Sequence, residues 1–314
     1  MIMGKKEEEE KKDRAALLLE RKKITFNLVL LLAASFVVLI GVLTMAWFAK
    51  NTVVKGKGPG ISAKDGKGYT ITFLENSTDG IFSDYYDAIR EEADPSVLVM
   101  GMTADSNLNN YESTDEGIVP GASGKMSFYL TPTGNPVDLK FEIEIVGYVS
   151  SVTDDEITMT ELADGDLKDH LNGHVFLFEE YDETTETYAK PILPDANSKR
   201  VFTREFDSQE LVNIYWVWPE HLSNLVNAYN GTTITAHTLV DDQGDYDDVV
   251  ENVCAYPTYY FRSESAGATL NNLTETKLTS EYVTYGSLYD AADNDIGTGV
   301  DYILFRMKVT VNEE

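Results

Sequence analysis

The chain has 314 residues, of which 43% are hydrophobic and 25% charged, enough to build the core of one large domain or two ordinary ones. Its 25 basic residues are outnumbered by 53 acidic ones, which gives a net charge of −28. This charge argues against a nucleic-acid partner, because a phosphate backbone needs a basic surface. The single cysteine, Cys254, excludes an intrachain disulfide framework and a cysteine-rich zinc module.

The N-terminal segment predicts a membrane helix. Residues 24–48 carry no charge, and a helix of this length would rise ~37 Å, more than the ~30 Å of a hydrocarbon core. The basic residues within 1–23 end directly before it, so 1–23 should stay in the cytosol and the rest should be exported. Whether the helix is a transmembrane anchor or a cleaved signal stays open. Its apolar run is longer than that of a signal peptide, yet Thr44-Met45-Ala46 offers small residues for cleavage.

Charge divides the chain at the same place. Positions 1–49 hold 8 basic and 6 acidic residues, whereas positions 51–314 hold 16 basic and 47 acidic ones, a net of −31. The acidic excess is typical of a well-hydrated exported surface, with cation binding or a salt-tolerant exterior as the alternative interpretation. The predicted organisation is a cytosolic segment (1–23), a transmembrane or signal helix (24–48), a Gly-rich linker or donor arm (49–61) and an extracellular domain (62–314) with insertions around 79–118 and 219–250.

Short runs of alternating polarity predict that the exported part is mainly β. The clearest run is 137–146, where Leu139, Phe141, Ile143 and Ile145 share one face and charged residues share the other. Strands are predicted at 67–74, 125–131, 137–146, 174–179, 187–192, 200–206, 211–216, 253–262 and 300–311, and short helices at 83–93, 161–171 and 220–229. Strands that do not alternate with helices favour an antiparallel β-sandwich with a few short helices.

Four segments (44–63, 117–143, 211–222 and 288–311) carry a family resemblance. They contain an Ala-aromatic-Phe at the membrane end, a Pro-Gly turn before an alternating strand, a Trp-x-Trp-Pro strand end and an Ala-Asp…Ile-Gly turn before the last strand. In these features the chain resembles the exported Firmicute surface proteins with a SipW-type signal, the family that includes the TasA and camelysin matrix proteins. The resemblance implies a jelly-roll-like sandwich and a role in cell-surface filaments or biofilm matrix.

Two functions follow as hypotheses. In the first, the protein is a cell-surface structural protein, and Thr52, Val53 and Val54 form a short arm that adds as a strand to the sheet edge of a neighbour. In the second, it is a membrane-tethered ligand- or glycan-binding module, and the same residues are only a spacer. The expected partners are the membrane, through 24–48, and other copies or other surface proteins; the expected location is the cell surface, anchored or secreted.

The sequence contains no recognisable catalytic motif, and we expect neither an enzyme nor a bound organic cofactor. His170 and His174 have the spacing of a helical zinc site, but no Glu follows His170 directly and Gly173 lies between them. They are therefore interpreted as surface histidines in a turn. The aromatic residues of 215–218 and 255–261 could form a carbohydrate-binding face, although a core position is the favoured interpretation for Trp216 and, less strongly, Trp218.

Two acidic segments, 241–251 and 290–297, are the candidate metal sites. Calcium takes roughly six to eight oxygen ligands and tolerates irregular loops, although neither segment has the spacing of an EF-hand. The candidate calcium ligands are Asp241, Asp242, Asp245, Asp247, Asp293 and Asp295. The alternative interpretation is that these are solvated aspartates in turns.

Overall fold

The computed structural model describes residues 61–62, 68–73, 97–102, 118–153, 156–263 and 270–312. The chain divides into two units between Val54 and Lys55, and every described residue belongs to the second. The predicted membrane helix, the arm and the predicted helix at 83–93 lie outside the described residues. Within these ranges, no helix has the length and apolar character needed to cross a membrane.

Thirteen strands and five α-helices make up the described ranges. The strands are β1 (Ile61–Ser62), β2 (Tyr69–Phe73), β3 (Val97–Gly101), β4 (Ser123–Pro132), β5 (Val137–Thr153), β6 (Glu156–Glu161), β7 (Phe176–Asp182), β8 (Thr187–Ile192), β9 (Arg200–Phe206), β10 (Glu210–Val217), β11 (Ala228–Tyr229), β12 (Ile234–Thr235) and β13 (Tyr302–Val311). The helices are α1 (Asp166–His174), α2 (Gln243–Ala255), α3 (Pro257–Tyr260), α4 (Glu275–Ser280) and α5 (Tyr282–Gly299), with a 3-10 turn at Leu222–Asn224.

The strands form two antiparallel sheets and one small ribbon. Sheet A has six strands in the order β1-β2-β4-β10-β7-β8, and sheet B has the order β3-β13-β5-β6. The long strand β5 pairs with β9 over 137–143 and with β6 over 148–153, so both partners lie along one of its edges. Strands β11 and β12 form the separate ribbon. The prediction of a mainly β, antiparallel architecture is confirmed.

The first core lies between the two sheets. Phe141 of β5 is fully buried, and its ring stacks on that of Phe202 with centroids 4.5 Å apart. Leu139, Ile143 and Ile145 are buried on the same face, as the alternation of 137–146 predicts. Sheet A contributes Val212, Ile214 and Trp216 to this core. Two sheets that share one apolar interior make the described strands a β-sandwich.

A second core covers part of the outer face of sheet A. Leu177 of β7 faces the first core, whereas its neighbours Phe176 and Phe178 face the opposite way. The helices pack onto these outward rings through Tyr246, Val249 and Val253 of α2, Tyr260 of α3, Leu278 of α4, and Tyr285, Leu288 and Tyr289 of α5. The described part of the domain therefore has three layers: sheet B, sheet A and a helical layer.

The prediction of a strand at 253–262 is wrong. This segment contains the end of α2 and the whole of α3, which begins with Pro257 at its first position, where the fixed φ of proline suits a helix. The buried residues Tyr246, Val249, Val250 and Val253 recur at three- and four-residue spacing, which is the helical period. The aromatic and β-branched composition of the segment had favoured a strand, but helical periodicity decides the structure here.

The predicted helix at 220–229 is also wrong, because this segment contains only the 3-10 turn and β11. The helix predicted at 161–171 lies later in the chain, at α1.

The acidic segments 241–251 and 290–297, predicted as loops, belong mainly to α2 and α5. Asp242 marks the start of α2, since its carboxylate accepts hydrogen bonds from the amides of Gly244 and Asp245 and so acts as the N-cap.

Replacing Phe141 with Ala should lower the free energy of unfolding by ~3–5 kcal/mol, because it empties a stacked position in the first core. The adjacent Glu142 points to the other face and forms an ion pair with Lys199. Glu142→Gln should therefore cost less than ~1 kcal/mol, as expected for a partly exposed ion pair at the surface. Urea denaturation measures both values, and equal losses would contradict the assigned faces.

Replacing Gly173 with Ala should destabilise the domain, because a Cβ at Gly173 would lie 2.2 Å from the carbonyl oxygen of Tyr259. Backbone cannot move aside as a side chain can, so we expect a loss of ~1–3 kcal/mol. Gly297 lies inside α5, and a Cβ there would meet nothing within 4 Å. Gly297→Ala should gain ~0.5–1 kcal/mol. Thermal unfolding of both variants is the measurement, and a neutral Gly173→Ala would disprove the close packing of α1 on α3.

Candidate functional site

A cleft opens in sheet A where β7 and β10 diverge. The two strands pair only through Phe176–Phe178 and Tyr215–Val217. Towards its N-terminal end, β10 pairs only with β4, as far as Glu210. Towards its C-terminal end, β7 pairs only with β8, as far as Asp182. The space between them, which we call the β7–β10 cleft, has a volume of about 520 Å³.

The walls of the cleft are polar and aromatic. They are formed by Glu179, Glu180 and Tyr181 of β7, Leu211, Asn213 and Tyr215 of β10, Lys190 of β8 and Arg204 of β9. The rings of Tyr181 and Tyr215 have centroids 5.8 Å apart. Burial raises the pKa of Glu179, while Lys190 and Arg204 act in the opposite direction. Lys190 Nζ lies 2.6 Å from Glu180 Oε1 in an exposed ion pair, which contributes little stability and can rearrange.

The main chain along the cleft is the second notable feature. In the described part of the chain, positions 210–214 of β10 have no strand partner on the side of β7. Unpaired strand edges are the surfaces to which an extended segment adds. Among the described residues, β10 therefore presents one such edge to the cleft.

A buried polar cluster lies at the closed end of the cleft. His174 comes two positions before β7, and Trp218 directly follows β10. Asp293 of α5 joins them: its Oδ1 lies 2.6 Å from His174 Nδ1 and accepts a 2.6 Å hydrogen bond from Trp218 Nε1. All three side chains are buried.

The partners of His174 fix the orientation of its ring. Its Nε2 lies 3.0 Å from the main-chain oxygen of Tyr260, which can only accept, so Nε2 donates this hydrogen bond. Its Nδ1 forms the second hydrogen bond, with Oδ1 of Asp293. The ring of Tyr289 stacks on His174 at 4.1 Å, and its hydroxyl donates to the main-chain oxygen of Pro219.

The interpretation of His170 and His174 as surface residues is wrong, since both are buried on α1. Burial lowers the pKa of His170, and His174, with its ring centroid 6.4 Å away, lowers it further; Asp295 and Asp166 act in the opposite direction. Its Nδ1 is buried and makes no hydrogen bond in the described residues. The four-residue spacing correctly indicated that the two rings share a helix. The expectation that they are exposed came from interpreting the segment as a turn, and it is this expectation that fails.

The structure does not gather the six calcium candidates. Asp241 is exposed ahead of α2, and Asp242 caps that helix. The other carboxylates have protein partners: Asp245 accepts from the amide of Lys190, Asp247 from the side chain of Gln243, Asp293 from His174 and Trp218, and Asp295 pairs with Arg262. Across the described ranges, no group of three or more His, Cys, Asp or Glu side chains is placed to hold a metal ion.

The aromatic residues divide between core and cleft. Trp216 and Trp218 are buried, as the core interpretation predicts, and Tyr259, Tyr260 and Phe261 belong to the second core. Tyr215, next to Trp216 but on the opposite face, lines the cleft. Sequence analysis did not identify the cleft. The available signal was the abrupt change from the apolar 175–178 to the polar 179–180 within one strand.

Comparison with known proteins assigns no family. No family model matches the chain, and no curated protein matches it. Among solved structures, the chain matches the sporulation control protein Spo0M from Bacillus subtilis with 9% identity and a TM-score of 0.17. The match covers 54% of this chain and 56% of that one, so the chain spans about half the length of that protein. The TM-score is too low for the match to support a shared fold.

The lowered pKa of His170 predicts that acid destabilises the domain. In the unfolded chain a histidine has a pKa of about 6.5, so below that pH the unfolded state binds more protons and stability falls. One such group changes the free energy of unfolding by at most ~1.4 kcal/mol per pH unit. His170→Gln should flatten the decline between pH 7.5 and 5.5, measured by urea unfolding at each pH. His221→Gln, at an exposed site, controls for the loss of a histidine; the same change of slope in both variants would contradict the prediction.

Proposed function

We propose that the chain is a cell-surface structural protein whose copies associate into a filament or matrix. In this proposal residues 24–48 take the chain to the membrane, and the sandwich is jelly-roll-like, as in the family it resembles. The β7–β10 cleft is the observation that carries the proposal. In the proposal, the edge of β10 along positions 210–214 is the acceptor for the arm, Thr52-Val53-Val54, of a second copy.

The chemistry of the arm suits this acceptor. Thr52, Val53 and Val54 are β-branched, which favours an extended strand. A segment that adds to the edge of β10 forms main-chain hydrogen bonds with it, and each contributes a net ~0.5–1.5 kcal/mol. The stretch that follows the arm is rich in Gly, a composition typical of linkers between binding partners.

Charge sets the conditions for association. The lining of the cleft is balanced, with Glu179 and Glu180 beside Lys190 and Arg204. Positions 51–314 have a net charge of −31, so subunits repel one another unless salt screens them. Because arm and cleft are different surfaces, their contact is heterologous, and such contacts build open chains unless they close into rings.

The proposal predicts that residues 47–314 elongate into filaments, whereas residues 62–314, which lack the arm, remain monomeric. Electron microscopy and light scattering over a range of salt and divalent-cation concentrations measure the difference. Persistent monomers of both forms under every condition would overturn the assembly role.

A pair of charge-matched variants tests the cleft itself. Leu211 in the cleft and Val201 on β9 are similarly exposed, at 38% and 44%, and Glu at either site adds one negative charge. In residues 47–314, Leu211→Glu should suppress elongation and Val201→Glu should leave it unchanged. Equal behaviour of the two variants would place the acceptor elsewhere.

A second candidate function, a membrane-tethered glycan-binding module, is favoured by the composition of the same cleft. Two tyrosine rings, Tyr181 and Tyr215, stand beside the polar side chains of Glu179, Asn213 and Lys190. Sugars stack on aromatic rings and hydrogen-bond to such polar groups. In this function the arm is a spacer between membrane and domain. Saturable binding of a soluble saccharide to a chain that stays monomeric in every salt condition would favour this second function.

A further inference from the structure

The small ribbon of β11 and β12 differs from the rest of the domain in charge and exposure. No Asp, Glu, Lys or Arg occurs in 222–240, although 25% of the chain is charged. Within this run, residues 229–236 are all exposed. They include two large apolar side chains, Tyr229 of β11 and Ile234 of β12, which are 39% and 65% exposed. Exposed apolar side chains in a segment depleted of charge are typical of the centre of a protein interface.

The outer edge of β12 offers main-chain hydrogen-bonding groups. In the described ranges, β12 pairs with β11 alone. The amide of Asn230 donates to the main-chain oxygen of Thr233, and the next pair along the ladder is Tyr229 with Ile234. Pairs that exchange hydrogen bonds alternate with pairs that do not, so the N–H and C=O of Ile234 point away from β11. The side chains of Tyr229 and Ile234 lie together on one face of the ribbon.

The base of the ribbon is fixed on the helical layer. The amide of Asn227 donates to the hydroxyl of Tyr246 on α2, and this hydroxyl donates to Glu275 on α4. The ring of His237 stacks on that of Tyr246 with centroids 4.2 Å apart. At the tip, the side chain of Asn230 accepts two amide hydrogen bonds from within the turn. The edge is therefore held in place before it meets a partner, which lowers the ordering cost of binding.

We propose that β12 pairs with β12 of a second copy, antiparallel and about a two-fold axis at Ile234, to form a four-stranded sheet across two subunits. This inference rests on the proposed function, because the contact would join neighbouring filaments side by side. The edge is self-complementary: the N–H and C=O of Ile234 in each copy meet the C=O and N–H of Ile234 in the other. The same pairing aligns Tyr229 and Ile234 of both copies in one apolar row.

Charge favours a second copy as the occupant of this edge. Positions 51–314 have a net charge of −31, so two copies repel when they approach through acidic surfaces. Contact through the ribbon brings together segments that carry no charge. A basic partner would instead be attracted to an acidic surface. Exposed strand edges are commonly protected by charged residues, and the sequence of 229–236 contains none.

The contact is too small to hold two free subunits together. Each strand of the ribbon has two residues, whereas stable interfaces bury about 1,200–2,000 Å² of total surface. A filament presents many ribbons at once, and repeated weak contacts add up through multivalency. We therefore expect residues 62–314 to remain monomeric and filaments of residues 47–314 to associate laterally into bundles.

Cross-linking tests the contact without filaments. The full-length chain in detergent carries Val53→Pro, so that its arm cannot add as a strand, and Cys254→Ala, which removes the native thiol. In this background, Ile234→Cys should give at least tenfold more covalent dimer with a short bismaleimide than Val283→Cys, an apolar position on α5 that is 77% exposed. Adding Thr235→Glu, which places two carboxylates beside the axis, should lower the Ile234→Cys yield at least tenfold. Equal yields from the two cysteine variants would overturn the contact.

Electron microscopy of residues 47–314, which include the whole second unit of the chain, tests the consequence. Ile234→Glu should separate bundles into single filaments of unchanged length, whereas Val283→Glu, which adds the same charge, should leave bundles intact. If the parent forms no filaments, the proposed function falls, while the cross-linking pattern would still support the ribbon contact. Parent filaments that never bundle, or bundles that survive Ile234→Glu, would overturn the lateral role.

Discussion

The described architecture depends on a buried carboxylate shared by an imidazole and an indole. Asp293 takes one hydrogen bond from Trp218 at the end of β10 and one from His174 at the end of α1. Through the main chain of Tyr260, His174 also reaches α3. Four elements therefore meet at one polar point between two apolar cores. In a medium of low polarity such a network is stable only when every member is satisfied, so these residues constrain one another and the layers that carry them.

The position of the cleft follows from how far the second core extends. Phe176 and Phe178 of β7 and Val217 of β10 face outward and are covered by the helical layer. Further along both strands the outward side chains become polar, with Glu180 on β7 and Asn213 on β10. Burial of apolar surface holds the strands together only where apolar residues face the helices. Where that burial ends the strands diverge, and the helical layer thereby defines the length of the opening.

Much of the sheet structure could be predicted, because the alternation of polar and apolar residues that indicates a strand lies within a few neighbouring positions. The predicted limits of β8 and β9 agree with the structure at both ends, and the buried face of β5 follows from simple alternation. The helical layer was harder, because the aromatic run at 255–261 has strand-like composition but packs at helical spacing. The polar cluster could not be predicted, since His174 and Asp293 are 119 positions apart and nothing in either local sequence indicates the other. In the sequence, Asp293 was one of six candidate calcium ligands, because its acidic neighbours suggested a metal site rather than a histidine partner.

The pairing of β10 with β4 has a mechanical consequence. The two strands are joined in register over eight residues, from Glu210 with Leu130 to Val217 with Ser123. A segment lying alongside β10 and pulled along the strand direction would load this ladder in shear, so that its hydrogen bonds resist together rather than breaking in succession. Sheet A continues beyond β4 to β2 and β1, which spreads the force over further strands. The arrangement is suited to bearing tension, without any covalent crosslink between the strands.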